Sequence, residues 1–193
     1  MEKTFDIPEL IFGDQNLAVV ERARKMGLGC DWVDGDPMKT SLDAIVSPAN
    51  TVGEMSGGYD LVIRNRLGSG VERTVMASLE QSPLYLGHAR ALKIESSIIP
   101  WIIVVPTVVG KLAGSGGNTE VGSLQSKTPS AGVIENGTYN LMMEAHKHGI
   151  SRIGTVLLGG GVGGMNADEA LVAMNNGYFR AYEEIDEIIY GGC

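Results

Sequence analysis

Apolar and polar positions along the chain follow two periods, one typical of buried strands and one typical of amphipathic helices. Continuous apolar runs such as Leu42–Val46 indicate strands that are covered on both faces, as in a parallel sheet. In Gln15–Met26 the apolar residues Leu17, Val20 and Ala23 recur at helical spacing, which predicts a helix with one buried face. Strand and helix patterns alternate along the chain, and this order favours a sheet enclosed between helices.

The same patterns predict six strands and five helices. The predicted strands are Leu10–Phe12, Cys30–Val33, Leu42–Val46, Ala89–Ile94, Ile98–Val105 and Arg152–Leu157. The predicted helices are Gln15–Met26, Asp60–Leu67, Val71–Glu80, Ile134–His148 and Asp168–Ile185. We expect an α/β protein, specifically a three-layer α/β/α sandwich with a mixed, largely parallel sheet. Residues 1–193 are expected to form a single domain, with a mobile loop at 110–132, where Gly, Ser and Thr dominate.

Charge and composition exclude several classes of partner. The net charge is −8 and 44% of the residues are apolar, so we expect a globular protein that does not bind nucleic acid through a basic surface. The longest apolar run, Ile98–Val109, contains two prolines and is too short to cross a bilayer, and no signal peptide is evident. Cys30 and Cys193 form neither a disulfide framework nor a metal-ligand spacing. A cytoplasmic protein without membrane contact, metal or cofactor is the simplest expectation.

A first candidate site follows the third predicted strand, in the segment DAIVSPANTVGEMSGGYD. A strand, a glycine-rich loop and a helix start are the usual surroundings of a phosphate or ribose group. The loop places the amide of Asn50 and the carboxylate of Asp60 where both could face one ligand. Each has a purely structural alternative, because Asn50 could close an Asx turn and Asp60 could stabilise the helix N-terminus.

A second glycine-rich segment, LLGGGVGGMN at Leu157–Asn166, follows the last predicted strand. Its glycines allow the backbone to approach a diphosphate closely and to turn N–H groups towards it. Asn166 fits the N-cap of the final helix, with Glu169 as its capping-box partner. Such a turn alone is weak support for a ligand site, but in a parallel sheet both glycine-rich segments open at the carboxyl edge.

These residues together resemble the macro domain family, most closely its phage-type branch. The resemblance is carried by the Ser-Pro-Ala-Asn loop, the Gly-Gly-x-Asp turn that ends at Asp60, and the GGGVGG segment before the last helix. Supporting features are the Gly-Asp turn at Asp36, the Pro106-Thr107 pair and the Asn136-x-x-Tyr139 pattern. The match covers about Leu10 to Tyr182, and the stretch at 110–132 has no clear counterpart.

The resemblance implies recognition of ADP-ribose. Asp36 would accept from the adenine amino group, Asn50 would bind the distal ribose, and Asp60 matches the acid of the hydrolytic macro domains. The diphosphate would lie against the backbone of the two glycine-rich segments, that is Gly57, Gly58, Gly159, Gly160, Gly161, Val162, Gly163 and Gly164. Three positions depart from the family pattern. Pro37 removes a backbone N–H beside Asp36, Gly163 stands where many members have an aromatic residue, and Tyr59 stands where a small aliphatic residue is usual.

Three functions therefore stay open at the level of the sequence. The first is binding of ADP-ribose or a related nucleotide. The second adds hydrolysis of an ADP-ribosyl ester or O-acyl-ADP-ribose, with Asp60 and Asn50 as catalytic residues and an ADP-ribosylated molecule as substrate. The third is a phage or virion-associated structural protein with a vestigial pocket. Tyr59 either replaces the missing aromatic residue or narrows the site. The oligomeric state is not encoded in any visible pattern.

Overall fold

The computed structural model describes residues 6–96, 98–110, 128–161 and 163–191. Its six strands are Glu9–Asp14 (β1), Asp31–Asp34 (β2), Ala44–Ser47 (β3), Arg90–Lys93 (β4), Trp101–Val104 (β5) and Arg152–Thr155 (β6). Its five α-helices are Leu17–Met26 (α1), Gly58–Leu67 (α2), Gly70–Gln81 (α3), Ala131–His148 (α4) and Ala167–Tyr190 (α5). A single 3₁₀ turn, Pro37–Lys39, follows β2.

One sheet contains all six strands in the order β2-β1-β6-β3-β5-β4. Every neighbouring pair is parallel except β4 with β5. The predicted mixed, largely parallel sheet is therefore confirmed. The antiparallel strand β4 lies at one edge, so the carboxyl ends of the other five strands meet at a common edge of the sheet.

Alternating side chains of the strands build two separate cores. Leu10 and Phe12 of β1 pack on the face that carries α1, α4 and α5, whereas Ile11 between them packs on the face that carries α2 and α3. The same alternation occurs in β3, where Val46 and Ile45 belong to opposite faces. Because successive strand residues point to opposite faces, this arrangement requires helices on both sides of the sheet. The three-layer α/β/α architecture is confirmed.

Local sequence signals account for most helix ends. Asn16, Ser130 and Asn166 each accept hydrogen bonds from backbone N–H groups in the first turn of α1, α4 and α5. Gly27 ends α1 in the left-handed region, with φ at 74°, a conformation that glycine adopts at little cost. Asn166 is therefore an N-cap as predicted.

Helices α4 and α5 pack unusually closely on one face of the sheet. A Cβ atom at Gly177 of α5 would lie 2.1 Å from the carbonyl oxygen of Glu135 in α4. Glycine at this position lets the two backbones approach to a distance that any side chain would prevent. The contact fixes α5, and with it the glycine-rich segment that leads into its N-terminus.

All predicted elements exist, with shifted boundaries. Helix α5 extends to Tyr190, beyond the predicted end at Ile185, and α4 begins at Ala131 rather than at Ile134. The predicted loop at 110–132 is thus wrong at its end, because Ser130 caps a helix whose first turn contains residues 131 and 132. Of the rest of the predicted loop, residues 111–127 lie outside the described residues.

Candidate functional site

A cavity of about 610 Å³ opens at the carboxyl edge of the sheet. Segments that follow five of the strands line it, as expected for an open sheet in which ligands bind beyond the strand ends. The lining residues used below are Asp14, Gln15, Asn16, Asp36, Asn50, Glu54, Gly57, Gly58, Tyr59, Asp60, Gly159, Gly160, Gly161, Gly163 and Ala167. All predicted site residues except Gly164 and Val162 thus line this one cavity. Val162 lies outside the described residues.

Asp60 is a buried carboxylate in the first turn of α2. Its side chain accepts a 2.6 Å hydrogen bond from the hydroxyl of Ser47, the last residue of β3, and no side chain caps the start of the helix. Burial raises the pKa of Asp60 to about 6, the Ser47 hydrogen bond opposes this, and the charge of Glu72 adds to it. Asp60 therefore retains its proton to a higher pH than a solvent-exposed aspartate does.

Glu72 of α3 holds the loop beside Asp60 in place. Its carboxylate accepts a 2.8 Å hydrogen bond from the backbone N–H of Met55 and pairs with Arg64 at 3.3 Å. The negative charge of Glu72 also raises the pKa of Asp60. Glu72 thus contributes to the shape and to the electrostatics of the cavity without lining it.

The Asn50 side chain organises its own loop. Its Oδ1 accepts from the backbone N–H groups of Val52, Gly53 and Glu54 at 3.0, 2.9 and 3.3 Å, and its Nδ2 donates to the carbonyl of Glu54. The turn that the sequence left open as an alternative is therefore present. Asn50 nevertheless lines the cavity, and the amide has a second N–H beyond the one that Glu54 accepts.

Asp36 lies where β2 meets the 3₁₀ turn, and its carboxylate is surrounded by donors. Oδ1 accepts from the N–H of Met38 at 2.9 Å and from the hydroxyl of Tyr59 at 2.6 Å. Oδ2 faces the guanidinium of Arg66 at 3.5 Å. The sequence did not indicate this link between Asp36 and α2, because 23 residues separate Asp36 from Tyr59.

The glycines of the second segment have different roles. Among the described residues a Cβ at Gly161 would meet no atom within 4 Å, so this position faces the open space of the cavity. A Cβ at Gly163 would lie 2.7 Å from the carbonyl oxygen of Gly159 and 2.9 Å from Pro129. Gly163 is therefore glycine because the backbone packs closely against Gly159 and Pro129, which leaves no space for a side chain at this position.

Backbone groups and helix ends supply the positive potential of the cavity. Among the described lining residues none is Lys or Arg, while Asp14, Asp36, Glu54 and Asp60 are acidic. The N-terminal turns of α2 and α5 reach the cavity through Gly58 and Ala167, so the positive ends of both helix dipoles lie beside it. No side chain caps the start of α2, whereas in α5 the Asn166 side chain already accepts from the N–H groups of Asp168 and Glu169. Lys111 and Lys127, the two lysines of the predicted loop, lie outside the described residues.

Sequence reasoning missed two parts of the site. The turn between β1 and α1, with Asp14, Gln15 and Asn16, lines the cavity because β1 lies beside β6 in the sheet. Ser47 was visible as the serine of the Ser-Pro-Ala-Asn loop, but its bond to Asp60 was not. In both cases the missing information is which strands are neighbours, and no local pattern encodes that.

Other site types are absent from the parts of the chain that the structure describes. In residues 6–96, 98–110, 128–161 and 163–191 no cluster of three His, Cys, Asp or Glu residues could hold a metal ion. Within the same ranges no helix is long and apolar enough to cross a membrane.

Comparison with known structures and families agrees with the fold. The mutant macrodomain of Oceanobacillus iheyensis aligns with a TM-score of 0.61 and 17% identity, over 95% of this chain and 82% of that one. The macrodomain of Mycobacterium tuberculosis DarG aligns with a TM-score of 0.60 and 17% identity, over 78% of this chain and 88% of that one. The Trypanosoma brucei macrodomain in complex with ADP-ribose aligns with a TM-score of 0.56 and 20% identity, over 80% of this chain and 56% of that one.

No curated protein sequence matches the chain. The family model of the macro domain matches residues 46–174, which contain Asn50, Asp60 and the second glycine-rich segment. The matched region also contains strands β4, β5 and β6, the end of β3, and four of the five helices in whole or in part. The chain belongs to the macro domain family.

Proposed function

We propose that this protein binds ADP-ribose in the cavity at the carboxyl edge of its sheet. The observation that carries the proposal is the convergence of two glycine-rich segments, Gly57-Gly58 and Gly159–Gly161, on the same cavity. Its volume of about 610 Å³ lies within the range usual for sites of small ligands and nucleotides. A Trypanosoma brucei relative of the same fold was solved in complex with ADP-ribose.

The ligand's diphosphate would contact backbone N–H groups rather than side-chain cations. Gly161 leaves room for a close approach, and the N-terminal turns of α2 and α5 provide dipoles of the right sign. Such a cradle is compatible with the net charge of −8, because its field is local and needs no basic surface. A nucleic acid, which is bound mainly through many phosphates, is disfavoured by that charge.

The two ends of the ligand would meet different acids. Asp36 would accept from the adenine amino group at one end, while Asn50 and Asp60 would face the distal ribose. Pro37 donates no backbone hydrogen bond to the base, so Asp36 provides the polar contact on that side. The free N–H of the Asn50 amide is the group available to a ribose hydroxyl, since its oxygen is occupied by three backbone N–H groups.

Hydrolysis is the second candidate, favoured by the state of Asp60. A buried carboxylate whose pKa is raised to about 6 accepts a proton at neutral pH more readily than an ordinary aspartate. Asp60 would take the proton of a water molecule or of a ribose hydroxyl during cleavage of an ADP-ribosyl ester or O-acyl-ADP-ribose. The substrate would then be an ADP-ribosylated molecule in the cytoplasm, reached by one domain that spans residues 1–193 and has no membrane contact.

The rival is a phage-type, virion-associated structural role with a vestigial pocket. It predicts a folded protein that binds no nucleotide. Calorimetric titration with ADP-ribose, with AMP and ADP as controls, distinguishes the two. We expect heat and saturation with ADP-ribose, together with a rise in Tm, because a ligand that binds only the native state stabilises it. Absence of both heat and thermal shift at millimolar ADP-ribose would reject the proposed function.

A further inference from the structure

Tyr59 joins two parts of the site that are distant in sequence. It is in the first turn of α2, between Gly58 and Asp60, and its hydroxyl donates to Oδ1 of Asp36 at 2.6 Å. Arg66, two helical turns further along α2, faces Oδ2 of the same carboxylate at 3.5 Å. One face of α2 therefore holds Asp36 from both oxygens.

The direction of the Tyr59 hydrogen bond is fixed. The ring is half-buried, and burial together with the Asp36 carboxylate raises the pKa of the Tyr59 hydroxyl far above its ordinary value. The hydroxyl consequently keeps its proton and acts as the donor, with the carboxylate as acceptor. A phenylalanine would fill the same space without this bond.

All described neighbours of the Asp36 carboxylate are donors. Oδ1 has two of them at short distances, whereas the single contact of Oδ2 is the longer one to Arg66. The carboxylate thus offers only lone pairs to a ligand, and Oδ2 has the greater capacity left. An amino group satisfies this arrangement, and a base that carries no donor at the same position leaves a partly buried acceptor without a partner.

We infer that Tyr59 is a positioning residue that holds Asp36 as an acceptor for the exocyclic amino group of a purine, and so sets selectivity at the base end of the cavity. This inference rests on the proposed function and goes beyond it. The residue that contacts the base is Asp36, but the residue that fixes the orientation of Asp36 is Tyr59, which lines the same cavity from the first turn of α2.

The test compares two probes that differ only in the amino group, ADP and purine riboside 5′-diphosphate. Kd values for both are measured by calorimetry on the wild type, Tyr59→Phe, Asp36→Ala and the double variant. Tyr85→Phe serves as the matched control, because Tyr85 is exposed and does not line the cavity. Thermal unfolding of each variant verifies that the protein is folded.

We expect the wild type and Tyr85→Phe to prefer ADP, and Tyr59→Phe to lose about tenfold of that preference, as for loss of a hydrogen bond to a charged group. In the Asp36→Ala background the Tyr59→Phe change should have no further effect on the ratio of the two Kd values. If Tyr59 had only a structural role, Tyr59→Phe would weaken the binding of both probes equally and leave the ratio of their Kd values unchanged.

The outcomes separate this inference from the proposed function. An unchanged ratio in Tyr59→Phe, or an equal loss of preference in the Asp36→Ala background, overturns the role of Tyr59 while nucleotide binding stands. Failure of the wild type to bind ADP-ribose and both probes overturns the proposed function and this inference together.

Discussion

The hydroxyl of Ser47 donates a 2.6 Å hydrogen bond to Oδ1 of Asp60, linking the end of β3 to the first turn of α2. Ser47 is fully buried and Asp60 is 6% exposed, so water contributes little to solvating the carboxylate. The Ser47 hydroxyl therefore stabilises the ionised form of Asp60 where water contributes little.

The stability of the protein should depend on the protonation of Asp60. Because the folded pKa of about 6 lies above the unfolded value of about 3.9, the native state retains the proton over that interval. Its stabilising effect is present below pH 4 and is lost as the pH rises to about 6. Relative to Asp60→Asn, the wild type should lose up to about 3 kcal/mol of unfolding free energy across this window. Urea unfolding of both proteins at intervals from pH 4 to pH 7 measures the difference.

Removal of the Ser47 hydroxyl should raise the pH up to which the protonated form of Asp60 stabilises the protein. The hydrogen bond lowers the pKa of Asp60, so Ser47→Ala should raise the pKa further and extend the loss of stability to higher pH. A titration of Asp60 by NMR in both proteins provides the direct measurement. An unchanged or lowered pKa in Ser47→Ala would contradict the assignment of this bond to the ionised carboxylate.

Turnover separates a hydrolase from a binding protein. If Asp60 transfers a proton, Asp60→Ala and Asp60→Asn should both reduce release of product from an ADP-ribosyl ester by about 10²–10⁴, while ADP-ribose binding changes much less. Asn has the size and the hydrogen-bonding oxygen of Asp but cannot accept the proton. Equal rates in the wild type and both variants would show that Asp60 has no catalytic role. If the wild type releases no product, the protein binds ADP-ribose without hydrolysing the ester.

Two glycines of the same segment should respond in opposite ways. Gly161→Val places a side chain in open space, so the protein should stay as stable as the wild type while the Kd for ADP-ribose rises at least about tenfold. Gly163→Val should instead lower the unfolding free energy by about 1–3 kcal/mol, because its side chain would overlap the Gly159 carbonyl and Pro129. Calorimetry and urea unfolding on both variants compare them. Wild-type affinity in Gly161→Val would show that this backbone does not contact the diphosphate.

Gly177 should be intolerant of the smallest side chain. A methyl group 2.1 Å from the Glu135 carbonyl forces α4 and α5 apart. Gly177→Ala should therefore lower the unfolding free energy by about 3 kcal/mol, the upper end of the range usual for overpacking. Gly132, in the first turn of α4, is the control, since within the described part of the chain its Cβ would approach only Ser130, at 3.9 Å. Gly132→Ala should be neutral or stabilising by up to about 1 kcal/mol. Similar Tm values for the two variants would contradict the close packing.

The sequence predicts the secondary-structure elements better than it predicts which of them are neighbours in space. The spacing of apolar residues around Leu10, Val20 and Ile45 shows whether one face or both faces of the element are buried. This spacing can be read from each segment alone. Asp36, Asn50 and Asp60 could be selected because each follows a strand or precedes a helix, and all three line the cavity. Their roles for a ligand stay predictions until binding is measured.

Contacts made by side chains across the sheet edge could not be predicted. Tyr59 was visible only as an unusual residue, and its bond to Asp36 depends on the path of β2 and α2 in space. The need for glycine at 163 similarly depends on Pro129, 34 positions earlier in the chain. Such contacts are set by strand order, which follows from the whole fold rather than from any segment.

The neighbouring position of β1 and β6 has a consequence for the kinetics of folding. Glu9 pairs with Arg152 although 143 residues separate them, so the centre of the sheet closes only after a long loop has been ordered. The turns after β1, β3 and β6 all line the cavity, and no part of the chain folded before that closure has a complete binding site. Ligand should therefore leave the folding rate almost unchanged and slow unfolding instead.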